Sequence, residues 1–599
     1  MIVGMKKVTV VIKSAWLDEV LKKLGDLGAV HLQPVVFPGN NTIENLRENI
    51  QSMEKAVSII AEGSYKDLVL SVNGEHGLVF AEQLLALNEE AKLIEEEMVI
   101  LENEYESLKV WGRFDPREMN SLKDAGILIK LFTCNKKDLS IIPEEFTVNI
   151  ISEDKATLYI AVVSKGKEIN VPLEEIQVPF HGMDEVDGMI KRERENLLNI
   201  RNEISTLCDK RPVIERALIK SRNKLDYEEA KAGIGSEDKI SYLMGFCPDP
   251  LIENLSKMST REGWAILIED PLQDDPVPTL IKHSKWTKIF QPVMDFIGIT
   301  PGYREFDTNG IFLIFFTVFF AMIIGDGGYG AVFLIAACIA GKCYKRIARE
   351  KILLFYLLPI TTIVWGAITG SWFGVEAINQ LPVFKEFIVP PLYSYARESE
   401  SNIIHLCFLI GALQLSIARI WVAVKSFTSY TVFAETGWAA LVWGIYFVVK
   451  FLLLNEELSS VVFYLIGYWA AVIILFGEQK EDGFVKGIFR GITGFIINAL
   501  TGIGCLSDLI SYIRLFAIGL ATREVALAFN NMAGDIGFSD AKSIVIAIII
   551  LIFGHTINIM LGAMSVLVHG IRLNLLEFSK HLNIQWSGIN YRPFKRESL

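Results

Sequence analysis

From about Ile311 onward the chain is a succession of apolar runs, and nothing else in it restricts the fold as much. Each run has about the ~20 residues that a helix needs to cross a ~30 Å hydrocarbon core. Lipid offers the backbone no hydrogen bonds, so such runs must be helices. They place helices near 308–325, 328–342, 351–375, 402–425, 432–454, 459–477, 505–532 and 541–580, about eight crossings within a membrane domain at 307–580. Residues 376–401 read as an external loop with more acid than base. Residues 478–504 read as a cytoplasmic stretch, partly an interfacial helix. A linker at 286–306 and a C-terminal tail at 581–599, also cytoplasmic, flank the membrane domain.

The first 285 residues are charged and mixed, as in a soluble protein. Their start, MIVGMKKVTVVIK, has no uninterrupted apolar core of a signal peptide, so this half is expected in the cytoplasm. The seven cysteines form no C-x-x-C pair, which fits a reduced compartment with neither a disulfide framework nor a metal site. A net charge of -12 argues against nucleic acid.

Two strand–helix–strand patterns, around residues 1–45 and 235–285, are expected to share one α/β lobe, and strand-rich residues at about 113–182 a distal lobe. Between them, Leu87, Ala91, Ile94, Met98, Leu101, Tyr105 and Leu108 follow a heptad seam flanked by glutamates. Ile190, Leu197, Ile200, Ile204 and Leu207 follow the same rhythm among arginines and lysines. One acidic and one basic seam separated by a compact lobe predict an antiparallel intramolecular coiled-coil hairpin over about 46–112 and 183–232. The alternative is two unrelated solvated helices. Nothing in this half looks catalytic.

The stretch GDGGYG, with Gly325, Asp326, Gly327, Gly328 and Gly330, interrupts the first apolar run. It satisfies G-x-G-x-x-G, but that pattern signals a dinucleotide only inside a soluble βαβ unit. Lys342, Lys345, Arg346, Arg349 and Lys351 follow it, and the positive-inside rule places them in the cytoplasm. The run therefore enters and leaves on one side. The glycines then form the tight turn of a helical hairpin.

Arg514 stands in the seventh run among Ile513, Leu515 and Phe516. A guanidinium at mid-membrane costs ~2.5 kcal/mol or more. Ser507, Ser511, Ala517 and Ala521, at helical spacing around it, make its face small enough for another helix to approach closely. In the last run His555, Asn558, Gly562, Ser565, His569 and Arg572 recur at 3,4,3,4,3 spacing, which predicts a water- or ion-lined stripe. The alternative for each histidine is a satisfied core residue. That run has 40 residues, or ~60 Å of helix, so the last two helices are expected to be long and tilted.

With these motifs the chain resembles the membrane-embedded stator subunit of rotary V/A-type ATPases, called subunit a or subunit I. The resemblance rests on FFAMIIGDGGYG, WGAITGSWFG (365–374), LSDLISYIRLFAIGLA, and HGIRLNLLEF followed by YRPF. The length points to a prokaryotic member, multi-pass in the inner (cell) membrane with both termini cytoplasmic. The resemblance implies an ion-translocating subunit without an ATP site or bound cofactor, moving H⁺ or Na⁺ against a rotating proteolipid (c/K) ring. It implies further partners in E/G-type peripheral stalk subunits, a d/C-type central stalk subunit and, indirectly, the ATPase head, besides membrane lipid. It places the family's essential arginine at Arg514 and its second functional arginine at Arg572, with His569 beside it. The chain departs from eukaryotic members at Gly562 and Thr522, where they carry a glutamate and a histidine. Asp508, Glu524 or ordered water are the candidates to replace those groups. A secondary ion transporter and a polytopic scaffold are the competing readings. The first predicts internal repeats, and the second leaves Arg514 and the polar stripe without a purpose.

Overall fold

A computed structural model describes every residue except 1, 37–38, 62–75, 136–137, 144, 155–156, 177–180, 344–348, 426, 428, 480–483, 538–539 and 597–599. The expected positions Lys345 and Arg346, and part of the expected first coiled-coil strand, lie outside the described residues. The chain divides into two compact units. One comprises Thr9–Gly245, Lys257–Leu267 and Pro593–Leu599; the other comprises Met1–Val8, Phe246–Ser256 and Ile268–Arg592.

The N-terminal part opens with β1 (Met5–Lys13), α1 (Leu17–Leu27) and β2 (His31–Gln33). Three helices and four strands follow: α2 (Asn41–Ala61), α3 (Gly77–Lys109), α4 (Pro116–Asp124), then β3 (Ile127–Asn135), β4 (Thr147–Asp154), β5 (Thr157–Lys165) and β6 (Glu174–Ile176). The chain returns through α5 (Met183–Cys208), α6 (Arg211–Ala232), β7 (Gly235–Glu237), β8 (Ile240–Pro248), α7 (Asp249–Glu262) and β9 (Ala265–Glu269). The strands of the two strand–helix–strand units alternate in one sheet, in the order β2-β8-β1-β9. The second sheet, β4-β5-β3-β6, buries Phe132, Ile160 and Val162 on one face.

The heptad positions meet. Leu87, Ala91, Ile94 and Met98 of α3 pack on Leu197, Ile200 and Ile204 of α5, while Leu101, Tyr105 and Leu108 pack on Val186 and Ile190. The two helices therefore run antiparallel. Arg201 reaches Glu95 at 2.7 Å and Arg194 reaches Glu102 at 3.3 Å across the flanks. The expected pair of long helices is in fact four, because α2 and α6 form a second layer with α3 around Ile60, Leu84 and Ile214. A clasp ties α6 to α1: Tyr227 and Lys231 both donate to Asp18, at 2.5 and 2.9 Å. Burial first, and the Asp18 carboxylate second, push the Tyr227 phenol up to about 12, so it stays a donor at any physiological pH.

The other unit contains β10 (Pro278–Thr279), a 3₁₀ turn at Thr287–Phe290 and α8 (Gln291–Ile297) before its apolar helices. These are α9 (Asn309–Ile324), α10 (Gly327–Cys343), α11 (Arg349–Thr369), the short α12 (Pro382–Lys385), α13 (Arg397–Lys425), α14 (Thr431–Leu454), α15 (Val461–Phe476), α16 (Phe484–Ile510), α17 (Ile513–Ile536) and α18 (Ala541–Ser565). Helix continues from α18 through two π-helical segments, Val566–Gly570 and Leu573–Phe578, to His581. β11 (Ile589–Asn590) then pairs in parallel with β10.

Among the described residues, five helical segments are long and apolar enough to cross a membrane: Arg349–Thr369, Glu398–Lys425, Thr431–Leu454, Phe484–Ile536 and Ala541–His581. α9 and α10 reach that length only together and are bent by 119°, and α15 is a shorter apolar helix. At Gly325, with φ +68°, α9 ends in the left-handed region.

Residues 484–504, expected on the cytoplasmic side and partly as an interfacial helix, are helical throughout and continue to α17 through one break at 511–512. Their glycines serve close packing. A Cβ on Gly491 would stand 2.1 Å from the Ile474 carbonyl oxygen of α15. Small residues let membrane helices approach to that degree.

Candidate functional site

Arg514 lies in the first turn of α17, where its Nε donates to the Ser511 carbonyl at 3.1 Å. Its Nη2 donates to Glu577 Oε1 at 2.9 Å. Arg572 approaches the same oxygen, Nε to Oε1 3.5 Å. Two arginines from the last two long helical segments thus share one carboxylate. Glu577 is 5% exposed in its side chain, Arg514 21% and Arg572 50%. The other carboxylate oxygen, Oε2, is buried and has no partner among the described residues, as is Nδ1 of His569.

Local backbone geometry makes this sharing possible. Arg572 and Glu577 are five residues apart, which in an α-helix would turn them to different faces. A π-helix closes i→i+5 hydrogen bonds, and the Leu573–Phe578 segment is π-helical. Residues five apart then stack on one side, and Glu577 comes under Arg572. The triad carries two positive charges and one negative. Among the described residues one positive charge therefore remains uncompensated; Ala517 and Ala521, one and two turns beyond Arg514 on α17, are exposed, as is Ser507 on α16 before the break.

The expected polar stripe on the last helix divides into two groups. Toward its start, His555 Nδ1 lies 2.8 Å from the Tyr329 hydroxyl and Asn558 donates to that hydroxyl at 2.9 Å. Asn558 also donates to the Thr522 carbonyl at 2.7 Å, and His555 Nε2 lies 3.2 Å from Asn530 Oδ1. Tyr329 is 1% exposed and Asn558 2%, so this group is interior. Ser565 and His569 are half-buried farther along, and of the stripe only Arg572 is exposed. The stripe faces protein along most of its length rather than an open surface.

The glycine turn is built around Asp326, 2% exposed. Its Oδ1 accepts from the backbone of Gly328 (2.8 Å), Tyr329 (3.2 Å) and Phe373 (2.9 Å). Its Oδ2 accepts from the Ser371 hydroxyl (2.9 Å) and the Gly374 amide (3.2 Å). Gly327 N donates to the Ser371 carbonyl at 2.9 Å. The motifs at 325–330 and 365–374 are therefore two halves of one knot. Gly325 and Gly330 flank it at the end of α9 and in the first turn of α10.

Two further candidates already have partners. Asp508 takes Lys580 at 2.9 Å and His581 at 3.2 Å. His581 also accepts from Arg419 at 3.2 Å, and Arg419 reaches Glu435 at 3.3 Å. Cys505, Asp508 and His581 bring their ligand atoms within 4.8 Å of one another. However, with Nδ1 accepting from Arg419, Nε2 carries the proton and donates to Asp508, so the imidazole offers no lone pair to a metal. Glu524 is exposed and pairs with Arg523 at 2.7 Å. Arg523 also donates to the Ser394 carbonyl and lies 3.8 Å from Glu400. Beside it lies a cavity lined by Gly325, Thr369, Ser371, Glu400 and Gly519.

Comparison with known proteins agrees with these motifs. The profile of the V-type ATPase 116kDa subunit family matches residues 164–354. The chain is 33% identical over 615 aligned residues to a V-type ATP synthase subunit I of Borreliella burgdorferi, covering 100% of both chains. It is 27% identical to V-type ATP synthase subunit I 1 of Treponema pallidum, over 99% of this chain and 100% of the relative. An A-type ATP synthase subunit I of Methanocaldococcus jannaschii is 23% identical over 73% of this chain and 68% of its own. A crystal structure of the cytoplasmic N-terminal domain of a subunit I, a homolog of subunit a of V-ATPase, aligns with 44% of this chain and 99% of its own. Its sequence identity is 15% and its TM-score 0.24, too low to carry the fold. Full-length identity to a subunit I, together with the profile match, places this membrane protein in the V-type ATPase 116 kDa subunit family, among the subunit I chains of prokaryotic V- and A-type ATP synthases.

Proposed function

We propose that this chain is the ion-conducting stator of a rotary V/A-type ATPase, with Arg514 as the fixed charge past which the ring carboxylates turn. The observation that carries the reading is the sharing of one Glu577 oxygen by Arg514 and Arg572, at 2.9 and 3.5 Å. Glu577 orients the Arg514 guanidinium without cancelling the charge of both arginines. A cation beside a carboxylate lowers its pKa. A ring carboxylate arriving at Arg514 therefore gives up its H⁺ or Na⁺ there, and takes one up again once it has moved past. Arginine suits this role because it stays protonated at any working pH and cannot itself pass the ion. The exposed small residues Ser507, Ala517 and Ala521 leave room for a ring helix at the same level.

In this reading the soluble part binds E/G-type peripheral stalks and a d/C-type central stalk subunit, and through the stalks holds the ATPase head against torque. The membrane part crosses eight times in the inner membrane and leaves both termini in the cytoplasm. His569 and Ser565 contribute to one ion path beside Arg572. The Arg523–Glu524–Glu400 group, with Asn558 and His555 behind it, contributes to the other. Asp508, held by Lys580 and His581, is structural.

The test is Arg514→Gln in the assembled complex. Assembly is expected to survive, and ATP-driven ion transport to fall by at least about a thousandfold, as for loss of a main electrostatic stabiliser. Arg514→Lys is expected to fail as well, because an ammonium offers no planar fork to Glu577. Coupled transport near the wild-type rate in assembled Arg514→Gln would overturn the reading.

A further inference from the structure

A short segment just before the first apolar helix carries two aromatic side chains with no cover. Trp286 and Phe296 are each 75% exposed, although the segment between them is anchored in the core. Ile289, Phe290 and Met294 are 2–4% exposed. Phe290 packs edge-on against Phe312 at 5.9 Å and Phe316 at 5.5 Å. Those two residues occupy the first two turns of α9. Lys288 pairs at 2.6 Å with Glu350, the second residue of α11. The segment is thus fixed between the starts of two apolar helices, at the level where both enter the membrane. Lys285, Arg349 and Lys351 are exposed around it.

We infer that residues 284–298 form an interfacial foot that rests on anionic phospholipid headgroups of the cytoplasmic leaflet. Three features select this occupant over a protein partner. Tryptophan with flanking lysine is the composition of the membrane–water boundary, where an amphipathic ring sits at headgroup depth. The packing of Phe290 on the first turns of α9 continues the lipid-facing surface directly, with Ile314 of α9 itself 62% exposed. The charge nearby is mostly basic: among the described residues Lys285, Arg349 and Lys351 stand free of any ion pair, whereas Glu350 is already taken by Lys288 and Asp295 accepts from Gln291 at 2.7 Å. Each basic side chain near an anionic surface favours binding about fivefold. A stator that resists torque benefits from a foot of this kind, because side chains at headgroup depth oppose tilting of the helices they are attached to.

The inference rests on the membrane placement of α9, and the experiment separates the two. A photoreactive phenylalanine analogue is placed singly at Trp286, Phe296 or Ile314 in the full chain. The assembled complex is reconstituted in vesicles of phosphatidylglycerol and phosphatidylcholine, illuminated, and its adducts are identified by mass. The Trp286 and Phe296 sites are expected to give lipid adducts in which phosphatidylglycerol exceeds its share of the bilayer by at least about fivefold. Lys285→Glu is expected to bring that enrichment down by about fivefold. Ile314 is expected to give lipid adducts without headgroup preference. Adducts to another subunit, no lipid adduct at either aromatic site, or lipid adducts in bulk proportion would each overturn the foot while Ile314 still reports membrane. Failure of Ile314 as well would overturn the placement of α9 and the foot together.

Discussion

Two guanidinium groups converge on one oxygen of Glu577, and that oxygen sets what each of its neighbours can do. With the carboxylate gone, Arg514 and Arg572 repel one another across a partly buried space and Arg514 loses the acceptor that aims it. Glu577→Gln is therefore expected to leave assembly intact and to lower coupled transport by about tenfold or more, the equivalent of ~1.4 kcal/mol. Arg572→Ala alone is expected to do less, since its side chain is 50% exposed. The two act through one shared oxygen, so the double variant should be hardly worse than Glu577→Gln. Losses that simply multiply would show that the residues work independently. Arg514 was legible in the sequence because a charge amid isoleucine, leucine and phenylalanine has no bland explanation. Glu577 was not. It stands five residues after Arg572, off the 3,4 rhythm of the stripe, and only a π-helical turn restores it to that face. Nothing in HGIRLNLLEF announces that turn except an acid near the end of an apolar helix. The sequence reads Asp326 only as part of a turn. Its five donors come from residues up to 48 positions away, a convergence that local spacing cannot reveal.

Helices differ in how much of their packing a sequence declares. The α3–α5 seam was declared in most of its positions, because they are apolar on both helices and the flanks carry opposite charge; Leu207, expected in it, packs instead with Ile60, Leu84 and Ile214, and Val186 joins it. Its stability should come from the seam rather than the flanks. Ile200 is 8% exposed within the cluster formed with Ala91 and Leu197. Ile200→Ala is expected to destabilise this helix pair by about 2–4 kcal/mol. Arg201→Ala, which breaks a largely exposed pair with Glu95, is expected to cost under ~1 kcal/mol. Amide hydrogen exchange along residues 87–108 measures both, and equal effects would mean that the seam is not what holds the pair. The α16 helix was declared only in part. GIFRGITGFIINALTGIG reads as a cytoplasmic stretch, partly an interfacial helix; in the structure Gly491 lies against the Ile474 carbonyl while Phe489, Ile496 and Ile497 stand out at 70–71% exposure. Glycine breaks helices in water because it exposes backbone and costs entropy. In a packed membrane helix that same missing Cβ permits contact, and composition alone does not distinguish the two settings.

At the scale of the whole molecule the topology depends on one bend. α9 and α10 have 16 and 17 residues, or ~24–26 Å each, slightly short of a ~30 Å core, and they meet at 119°. Taken as one broken span they give an odd number of crossings and send the two ends of the chain to opposite sides. Taken as a hairpin they give eight crossings and keep both ends together. The segment at 287–291 argues for the hairpin. Phe290 touches the first turns of α9, and Lys288 pairs with the first turn of α11. A Cβ on Gly341, near the end of α10, would stand 2.9 Å from the Tyr356 hydroxyl of α11, so α10 ends near the side on which α9 began. Each subsequent crossing inherits that parity. On the proposed topology the 376–401 loop is external, and Cys343, exposed at the end of α10, is cytoplasmic. In intact cells an impermeant thiol reagent is expected to label Glu386→Cys, in that loop, from outside. It should reach Cys343 only after permeabilisation, in a chain whose other exposed thiol, Cys338, is replaced by alanine. Labelling at Glu386→Cys only after permeabilisation would reverse every crossing after the bend. The turn itself is unsuited as a reporter, because Asp326 is buried under five hydrogen bonds. Parity therefore has to be read on either side of the knot that creates it.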